Sequence, residues 1–226
     1  MPFIKTFVTL TIRELFKLLC KIDAQDLEQV PLQGPYIIIT NHINFLEVPV
    51  IYSLLYPRPT IGIAKQETWK NPLLGPLFTL WETIPIKRGE VDLAAMQKSV
   101  ELLKQGKMIA IAPEGTRSKD GQLQRGLPGT LLLALKSQAP ILPIAHYGGE
   151  NFWENLTHFR RTPFHVRVGQ PFRLVNVSQP PSKDERNQVM QEMMIRLAEL
   201  LPSQYHGIYR GMDFSAHQYT ETLPPP

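Results

Sequence analysis

The sequence predicts an α/β fold, in which a mostly parallel β-sheet is covered by helices and is preceded by an N-terminal amphipathic helix. Two observations lead to this fold class. From residue 36 onward, short apolar runs of strand length alternate with longer segments of helical periodicity. The first 22 residues carry apolar side chains at helical spacing, with charges between them. A chain of 226 residues is long enough for one sizeable core, so a single domain is expected.

The N-terminal helix is expected over residues 3–22, within an amphipathic segment of residues 1–25. Its charges interrupt the apolar run, which argues against a transmembrane helix or a secretory signal. A wide apolar face beside mainly basic charges predicts a helix that lies in a membrane surface. The side chains expected to face lipid are Phe3, Phe7, Leu10, Leu15, Phe16 and Leu18. The alternative is that this helix packs on the α/β core.

After the N-terminal helix, strand-like apolar runs alternate with segments of helical periodicity. Apolar runs typical of buried strands cover residues 36–40, 60–64, 83–86, 108–112 and 141–145. Helical segments cover residues 45–56, 91–105, 129–137 and 184–201. The run 165–172 alternates between apolar and polar residues, so it is expected to be an edge or late strand. The main domain is therefore assigned to residues 30–202, and residues 203–226 are expected to form a polar tail that is loosely ordered or docked on the surface.

Composition narrows the range of functions. The 24 basic and 20 acidic residues give a net charge of +4, which suits an anionic lipid, an anionic substrate or nucleic acid. The basic residues are scattered without interleaved aromatic residues, which argues against a nucleic-acid partner. A single cysteine, Cys20, excludes an internal disulfide and favours a reducing compartment. The sequence has no Gly-x-Ser-x-Gly elbow, P-loop or Cys-x-x-Cys pair, and no metal or cofactor is expected.

Two strand ends carry the residues that could perform chemistry. The run 36–40 leads into Asn41 and His42, and the run 108–112 leads into Pro113 and a Glu-Gly-Thr-Arg-Ser segment. Ligands of α/β sheets gather at the carboxyl ends of strands, so the two segments could share one cleft. His42 and Glu47 have the residue types of a general base and the acid that orients it.

The spacing of His42 and Glu47 restricts how they can pair. On an ideal helix the five-residue offset turns the two side chains roughly 140° apart. They can meet only if His42 lies in the turn before the helix and Glu47 lies in its first turn. Short motifs of this kind also arise by chance, and a capping or core histidine remains the alternative at this point.

The order of the motifs resembles the 1-acyl-glycerol-3-phosphate acyltransferase family, a group of glycerolipid acyltransferases, over roughly residues 36–146. Four family blocks are matched in order, at similar spacing. They are Asn-His with an acid after four further residues, at Asn41, His42 and Glu47; Ile-Pro-Ile-Lys-Arg, ending at Arg88; Pro-Glu-Gly-Thr-Arg-Ser, at residues 113–118; and Pro-Ile-Leu-Pro-Ile, at residues 140–144.

The resemblance implies an O-acyltransferase with named site residues. His42 would be the catalytic base and Glu47 its orienter, and the acceptor would be bound by Arg88, Glu114, Gly115, Thr116 and Arg117. The phosphate of the acceptor would be held by Arg88 and Arg117 through bidentate hydrogen bonds. The chain departs from the family pattern in having Glu47 where Asp is usual and Ala112 where Phe is usual. The change at Glu47 leaves open an altered acceptor or a lowered rate.

The same resemblance implies the substrates and the location. The donor would be acyl-CoA or an acyl carrier protein, and the acceptor a lysophospholipid, namely 1-acyl-glycerol-3-phosphate, whose acylation gives phosphatidic acid. Residues 30–202 would be the acyltransferase domain of a peripheral or monotopic membrane protein on the cytoplasmic face, in contact with membrane lipids. Two alternatives remain open: a family member that uses another lysolipid, and a lipid-binding protein that has lost catalysis.

Overall fold

In a computed structural model, which describes residues 2–87, 92–118, 120–215 and 217–224, the chain forms nine strands and seven α-helices. The strands are β1 (Cys20–Asp23), β2 (Tyr36–Ile39), β3 (Thr60–Lys65), β4 (Ile84–Ile86), β5 (Met108–Ile111), β6 (Ile141–Tyr147), β7 (Thr162–Val168), β8 (Phe172–Leu174) and β9 (Thr220–Thr222). The α-helices are α1 (Pro2–Leu19), α2 (Glu47–Leu55), α3 (Leu74–Leu80), α4 (Leu93–Lys104), α5 (Gly129–Ser137), α6 (Phe152–Thr157) and α7 (Lys183–Ala198).

The sheet is mostly parallel, as the sequence predicts. Its order is β1-β7-β6-β2-β5-β3-β4, and the five strands from β6 to β4 run parallel to one another. Strand β7 is antiparallel to β6 and parallel to β1. Strands β8 and β9 extend from β6 as an antiparallel pair. The α/β fold class is therefore confirmed.

Strand β2 divides the core into two layers, because alternate side chains of a strand point to opposite faces of a sheet. Ile37 and Ile39 belong to the first core layer, which packs against α4, α5 and α7, whereas Ile38 belongs to the second core layer, beneath α2. All three side chains are essentially inaccessible to solvent. A strand buried on both faces reads as a continuous apolar run, which is why this strand is recognisable in the sequence.

Helix α1 has one side on the domain and one side in solvent. Thr9 is buried and accepts a hydrogen bond from the indole N–H of Trp81, at 3.0 Å. Phe16 packs against the second core layer, so its predicted contact with lipid is wrong. The exposed apolar side chains of the helix are Phe3, Ile4, Phe7, Leu15 and Leu18. Among the described residues, none of the helices combines the length and apolar character needed to cross a bilayer.

Several short elements differ from the sequence prediction. The N-terminal helix ends at Leu19 rather than residue 22, because Cys20–Asp23 pairs with β7 as strand β1. The run 165–172 is not one strand: β7 starts earlier, and Gly169–Pro171 separates it from β8. Helices α3 and α6, of seven and six residues, are too short to show a helical period. The predicted start of the fourth helix at Val91 lies outside the described residues.

The described residues of the C-terminal segment, 203–215 and 217–224, pack on the domain, which corresponds to the docked form of the predicted tail rather than the loose one. Tyr209 and Tyr219 lie in the first core layer, and β9 pairs with β8. The buried carboxylate of Glu192 in α7 accepts hydrogen bonds from the backbone N–H groups of Gln218, Tyr219 and Thr220. These contacts are made between residues about 27 positions apart, so local composition does not reveal them.

Candidate active site

Three neighbouring parallel strands bring the candidate residues together at one edge of the sheet. Strand β2 lies between β5 and β6, and all three end on the same side. The chain continues from β2 into His42, and from β5 into Glu114, while His146 lies near the end of β6. The expected convergence at carboxyl ends of strands therefore holds for this sheet.

The turn before α2, here called the histidine turn (residues 41–47), brings His42 and Glu47 into contact. The helix begins at Glu47, and His42 lies in the preceding turn, which is the arrangement that the five-residue offset requires. Nδ1 of His42 contacts Oε1 of Glu47. The second oxygen, Oε2, accepts the backbone N–H groups of Ile43 and Asn44 at 3.2 and 2.8 Å.

The side chain of Asn44 closes the histidine turn. Its Oδ1 accepts the N–H of Leu46 at 2.8 Å, and its Nδ2 donates to the carbonyl of Gly149 at 2.9 Å. Asparagine favours such local side-chain to backbone bonds, so it supports a turn immediately before a helix. The histidine turn is thereby tied to the segment that follows β6.

The carboxylate of Glu47 is buried, with 3% of the residue exposed. Burial alone would raise the pKa of Glu47, but the imidazoles of His146 and His42 and the N–H of Asn44 outweigh it, so the pKa is lowered. Glu47 is therefore ionised at neutral pH. An ionised acceptor at Nδ1 fixes the tautomer of His42 that carries its proton on Nδ1, and leaves Nε2 as the basic nitrogen.

His146 was not selected from the sequence, yet it adjoins the histidine turn. Its Nε2 lies 2.9 Å from the carbonyl oxygen of Asn41 and 3.6 Å from Oε2 of Glu47. The carboxamide of Asn41 bonds both to the N–H and to the C=O of His146, at 2.9 and 2.8 Å. Burial lowers the pKa of His146, although the neighbouring Glu47 carboxylate acts in the opposite direction. Nε2–H donates to the carbonyl oxygen of Asn41, which can only accept. Sequence patterns offered no signal, because 105 residues separate the two partners.

Glu114 belongs to the arginine loop (residues 113–118) and links it to two other segments. One carboxylate oxygen accepts the N–H of His42 at 2.8 Å, and the other accepts the N–H of Gln124 at 2.9 Å. Burial raises the pKa of Glu114 to about 7, although these N–H donors favour the charged form. Glu114 therefore holds the backbone around the site, and contact with a substrate would use its remaining lone pairs.

The middle of the arginine loop is more exposed than its buried ends, Pro113 and Ser118. Gly115 has a φ of +67°, a conformation that glycine adopts without the penalty of a Cβ atom. Thr116 and Arg117 are exposed to solvent, at the loop that follows β5. The N–H of Ser118 donates to the carbonyl of His42 at 2.8 Å, which holds the arginine loop against the histidine turn. The predicted phosphate ligand Arg88 lies outside the described residues.

The site places Nε2 of His42 near the loop that carries the exposed Arg117. His42 has a side chain that is 16% exposed, so it is accessible from one side. Its imidazole, with Glu47 behind it, can accept a proton from a hydroxyl at Nε2. Arg117 can pair with an anion next to that hydroxyl. Within the described ranges, three or more His, Cys, Asp or Glu side chains nowhere form a group that could hold a metal ion.

The sequence profile of the family described as "Acyltransferase" matches residues 21–147, which is more than half of the chain. Over 133 residues the chain is 32% identical to "1-acyl-sn-glycerol-3-phosphate acyltransferase BAT2, chloroplastic" from Brassica napus, covering 57% of this chain and 38% of that protein. Over 174 residues it is 25% identical to the 1-acyl-sn-glycerol-3-phosphate acyltransferase of Bacillus subtilis, covering 76% of this chain and 84% of that protein.

A solved structure also matches the chain. The crystal structure of the 1-acyl-sn-glycerophosphate (LPA) acyltransferase PlsC from Thermotoga maritima aligns with a TM-score of 0.62 at 23% identity, covering 87% of this chain and 81% of that chain. At this identity the likeness shows a shared fold. The chain spans well under two thirds of the Brassica napus relative, but most of the Bacillus subtilis relative.

Proposed function

Since this chain belongs to the acyltransferase family, we propose that it transfers an acyl group from an acyl thioester to the free hydroxyl of 1-acyl-glycerol-3-phosphate, giving phosphatidic acid. The observation that carries the proposal is the contact of His42 Nδ1 with the buried carboxylate of Glu47, beside the arginine loop. A lipid-binding protein would have no need of a histidine oriented in this way, which counts against a purely non-catalytic role.

The reaction is a direct transfer of the acyl group from the sulfur of a thioester to the oxygen of the acceptor hydroxyl, which becomes an oxygen ester. Nε2 of His42 takes the proton of the acceptor hydroxyl, while its oxygen attacks the thioester carbonyl carbon. The carboxylate of Glu47 stabilises the imidazolium that forms. The tetrahedral intermediate collapses with cleavage of the carbon–sulfur bond, and the imidazolium returns its proton to the departing thiolate. Atoms and charges balance without a covalent enzyme intermediate.

The acceptor phosphate is assigned to the arginine loop. Arg117 presents a planar, permanently charged guanidinium at the protein surface, which suits a phosphate that arrives with a lipid. Arg88 keeps its role as a second phosphate ligand on the resemblance alone. The donor is acyl-CoA or an acyl carrier protein, both of which deliver the same thioester.

One assay separates the alternatives. The purified full chain is incubated with labelled acyl-CoA, or with labelled acyl carrier protein, and a panel of lysolipids that differ in head group. We expect transfer to 1-acyl-glycerol-3-phosphate, and none with the His42→Ala variant. Transfer only to another lysolipid would redefine the acceptor. Binding of lysolipid without transfer to any acceptor would establish the lipid-binding alternative.

Helix α1 supports a location at the membrane. Its exposed side carries Phe3, Phe7 and Leu18, while its other side is fixed to the domain. We propose that this exposed side lies in the cytoplasmic surface of a bilayer, as a peripheral or monotopic contact. Deleting residues 1–22 would remove Cys20, which is buried in β1, so point variants are the better test.

The test replaces two exposed aromatic residues of α1. Phe3→Ser with Phe7→Ser should weaken flotation with anionic vesicles without lowering the thermal unfolding midpoint. Leu32→Ser is the matched control, since Leu32 is also well exposed but lies outside α1, in the segment before β2. Unchanged flotation of the α1 variant would place the membrane contact elsewhere.

A further inference from the structure

Helix α6 and the turn after it carry a second set of exposed apolar side chains, here called the α6 ridge: Trp153, Leu156 and Phe159. Trp153 is 62% exposed and Phe159 is 100% exposed. Phe159 also has a φ of +53°, which a bulky residue rarely adopts. Packing within this domain does not offset the strain at Phe159, because its ring is fully exposed to solvent.

The α6 ridge is in direct contact with the histidine turn. The ring of Trp153 stacks on Phe45, with ring centroids 5.2 Å apart and planes at 23°. Phe45 stands between His42 and Glu47 in the chain, and it also packs edge-on against the buried ring of Phe152. Trp153 therefore packs on a residue of the histidine turn, the segment that carries the candidate base.

Two residues that flank the α6 ridge, Phe152 and Arg161, contact the end of helix α1. Arg161 donates from Nη2 to the carbonyl oxygens of Lys17 and Cys20, at 2.6 Å each. Phe16 of α1 packs against Phe152 of α6, with ring centroids 6.3 Å apart. The exposed Leu15 and Leu18 of α1 are thus next to an element that exposes its own aromatic residues.

The excess of basic residues around this surface favours an anionic partner. Helix α1 carries three basic residues and one acidic residue, and residues 152–161 carry two basic and one acidic. These two segments together account for most of the net charge of +4. Exposed tryptophan and phenylalanine beside arginine match the boundary between acyl chains and anionic head groups.

We propose that the α6 ridge is a second membrane contact, which inserts Trp153 and Phe159 into an anionic bilayer and holds the histidine turn at the lipid surface. The inference rests on the proposed function only in that the acceptor is a lipid. Two contacts, α1 and the α6 ridge, fix the tilt of the domain on the membrane, whereas one helix would leave it free to rotate. The acceptor hydroxyl then meets His42 without leaving the bilayer.

The first test measures partitioning of the full chain onto vesicles of phosphatidylcholine with phosphatidylglycerol. Trp153→Ser with Phe159→Ser should weaken partitioning about tenfold or more, given the apolar area withdrawn from lipid. Leu32→Ser is the control and should partition like the unmodified chain. The thermal unfolding midpoint of each variant verifies that the fold is intact. Equal partitioning of the ridge variant and the control would overturn the proposal.

The second test locates the ridge directly through Trp153. Phospholipids with brominated acyl chains quench only tryptophans that approach the bilayer interior. The experiment uses a Trp69→Phe background, since Trp69 is partly exposed. Quenching should be strong in that background and mostly lost when Trp153→Phe is added, because the remaining Trp81 is buried in the protein. Quenching that persists unchanged in Trp153→Phe would show that the ridge stays in water, as it would on a protein partner.

A third measurement separates this inference from the proposed function. The ridge variant should lose acyl transfer to acceptors embedded in vesicles, but retain it with short-chain acceptors dissolved as monomers. If the unmodified chain transferred no acyl group and the ridge variant still lost partitioning, the proposed function would fail while the membrane contact stood. Full transfer on vesicles together with normal partitioning of the variant would overturn the membrane contact alone.

Discussion

The histidine turn and the arginine loop lie side by side, yet they differ in how completely they are organised before a substrate arrives. In the histidine turn, Glu47 is buried and both of its carboxylate oxygens have partners. In the arginine loop, Glu114 is equally buried, but Thr116 and Arg117 are exposed. In the proposed reaction, proton transfer would use a pre-organised pair, whereas phosphate binding would use an exposed part of the arginine loop.

The largest effect is expected from removing the base. His42→Ala should lower the rate of acyl transfer by about a hundredfold to ten-thousandfold, since general-base catalysis contributes in that range. The KM for the acceptor should change little, because His42 does not hold the phosphate. Steady-state kinetics measures both values, with far-UV circular dichroism as the control for folding. Near-normal turnover of the variant would refute the role of His42 as the general base.

A smaller loss is expected at the orienter. Glu47→Gln keeps the size of the side chain but removes the charge that supports the imidazolium, so kcat should fall while acceptor affinity persists. Glu47→Asp keeps the charge and the residue type usual in the family, and should retain more activity than Glu47→Gln. A fully active Gln variant beside an inactive Asp variant would contradict the pairing.

Changes in the arginine loop should alter the KM for the acceptor rather than kcat. Arg117→Ala should raise the KM for a phosphate-bearing acceptor about tenfold to a hundredfold, because a charge-assisted hydrogen bond is worth roughly 1.5–3 kcal/mol. Arg88→Ala, made on the resemblance alone, should act in the same direction. An unchanged KM in both variants would mean that the acceptor carries a different head group or that other residues hold its phosphate.

The smallest effect is expected for Glu114, which belongs to the arginine loop and accepts the N–H of His42 in the histidine turn. Its pKa is raised from an ordinary value of 4.5 to about 7, so between these values the folded chain binds more protons than the unfolded chain. Stability from this group therefore falls as the pH rises from about 5 to 7, and the fall is absent in Glu114→Gln. Urea unfolding across this range should show the free energy of unfolding of the native chain falling relative to that of the variant. A constant difference would refute the raised pKa.

The parts of this molecule that are locally encoded can be predicted from the sequence. The strands β2, β5 and β6 are continuous apolar runs, and the polar residues at their ends identify the edge of the sheet where the site lies. The contact of His42 with Glu47 could be stated as a condition on where α2 begins, and α2 begins at Glu47. Both predictions needed only neighbouring residues.

The parts that escaped prediction depend on distant partners. Strand β1 has the sequence Cys-Lys-Ile-Asp, and only its pairing with β7 makes it a strand. His146 adjoins the site because Asn41 bonds to its backbone across 105 residues. The C-terminal segment is held by Glu192, whose burial no local pattern indicates. In each case tertiary contacts override a weak local signal.

The pairing of β1 with β7 also sets an order in time. Arg161, which holds the end of α1, is made 141 residues after Cys20. At a synthesis rate of about 5–20 residues per second, the helix is complete roughly 7 to 28 s before that residue leaves the ribosomal active site. An α1 that binds lipid would therefore meet the membrane while the sheet is still unfinished, and the acyltransferase domain would close around a helix that is already docked.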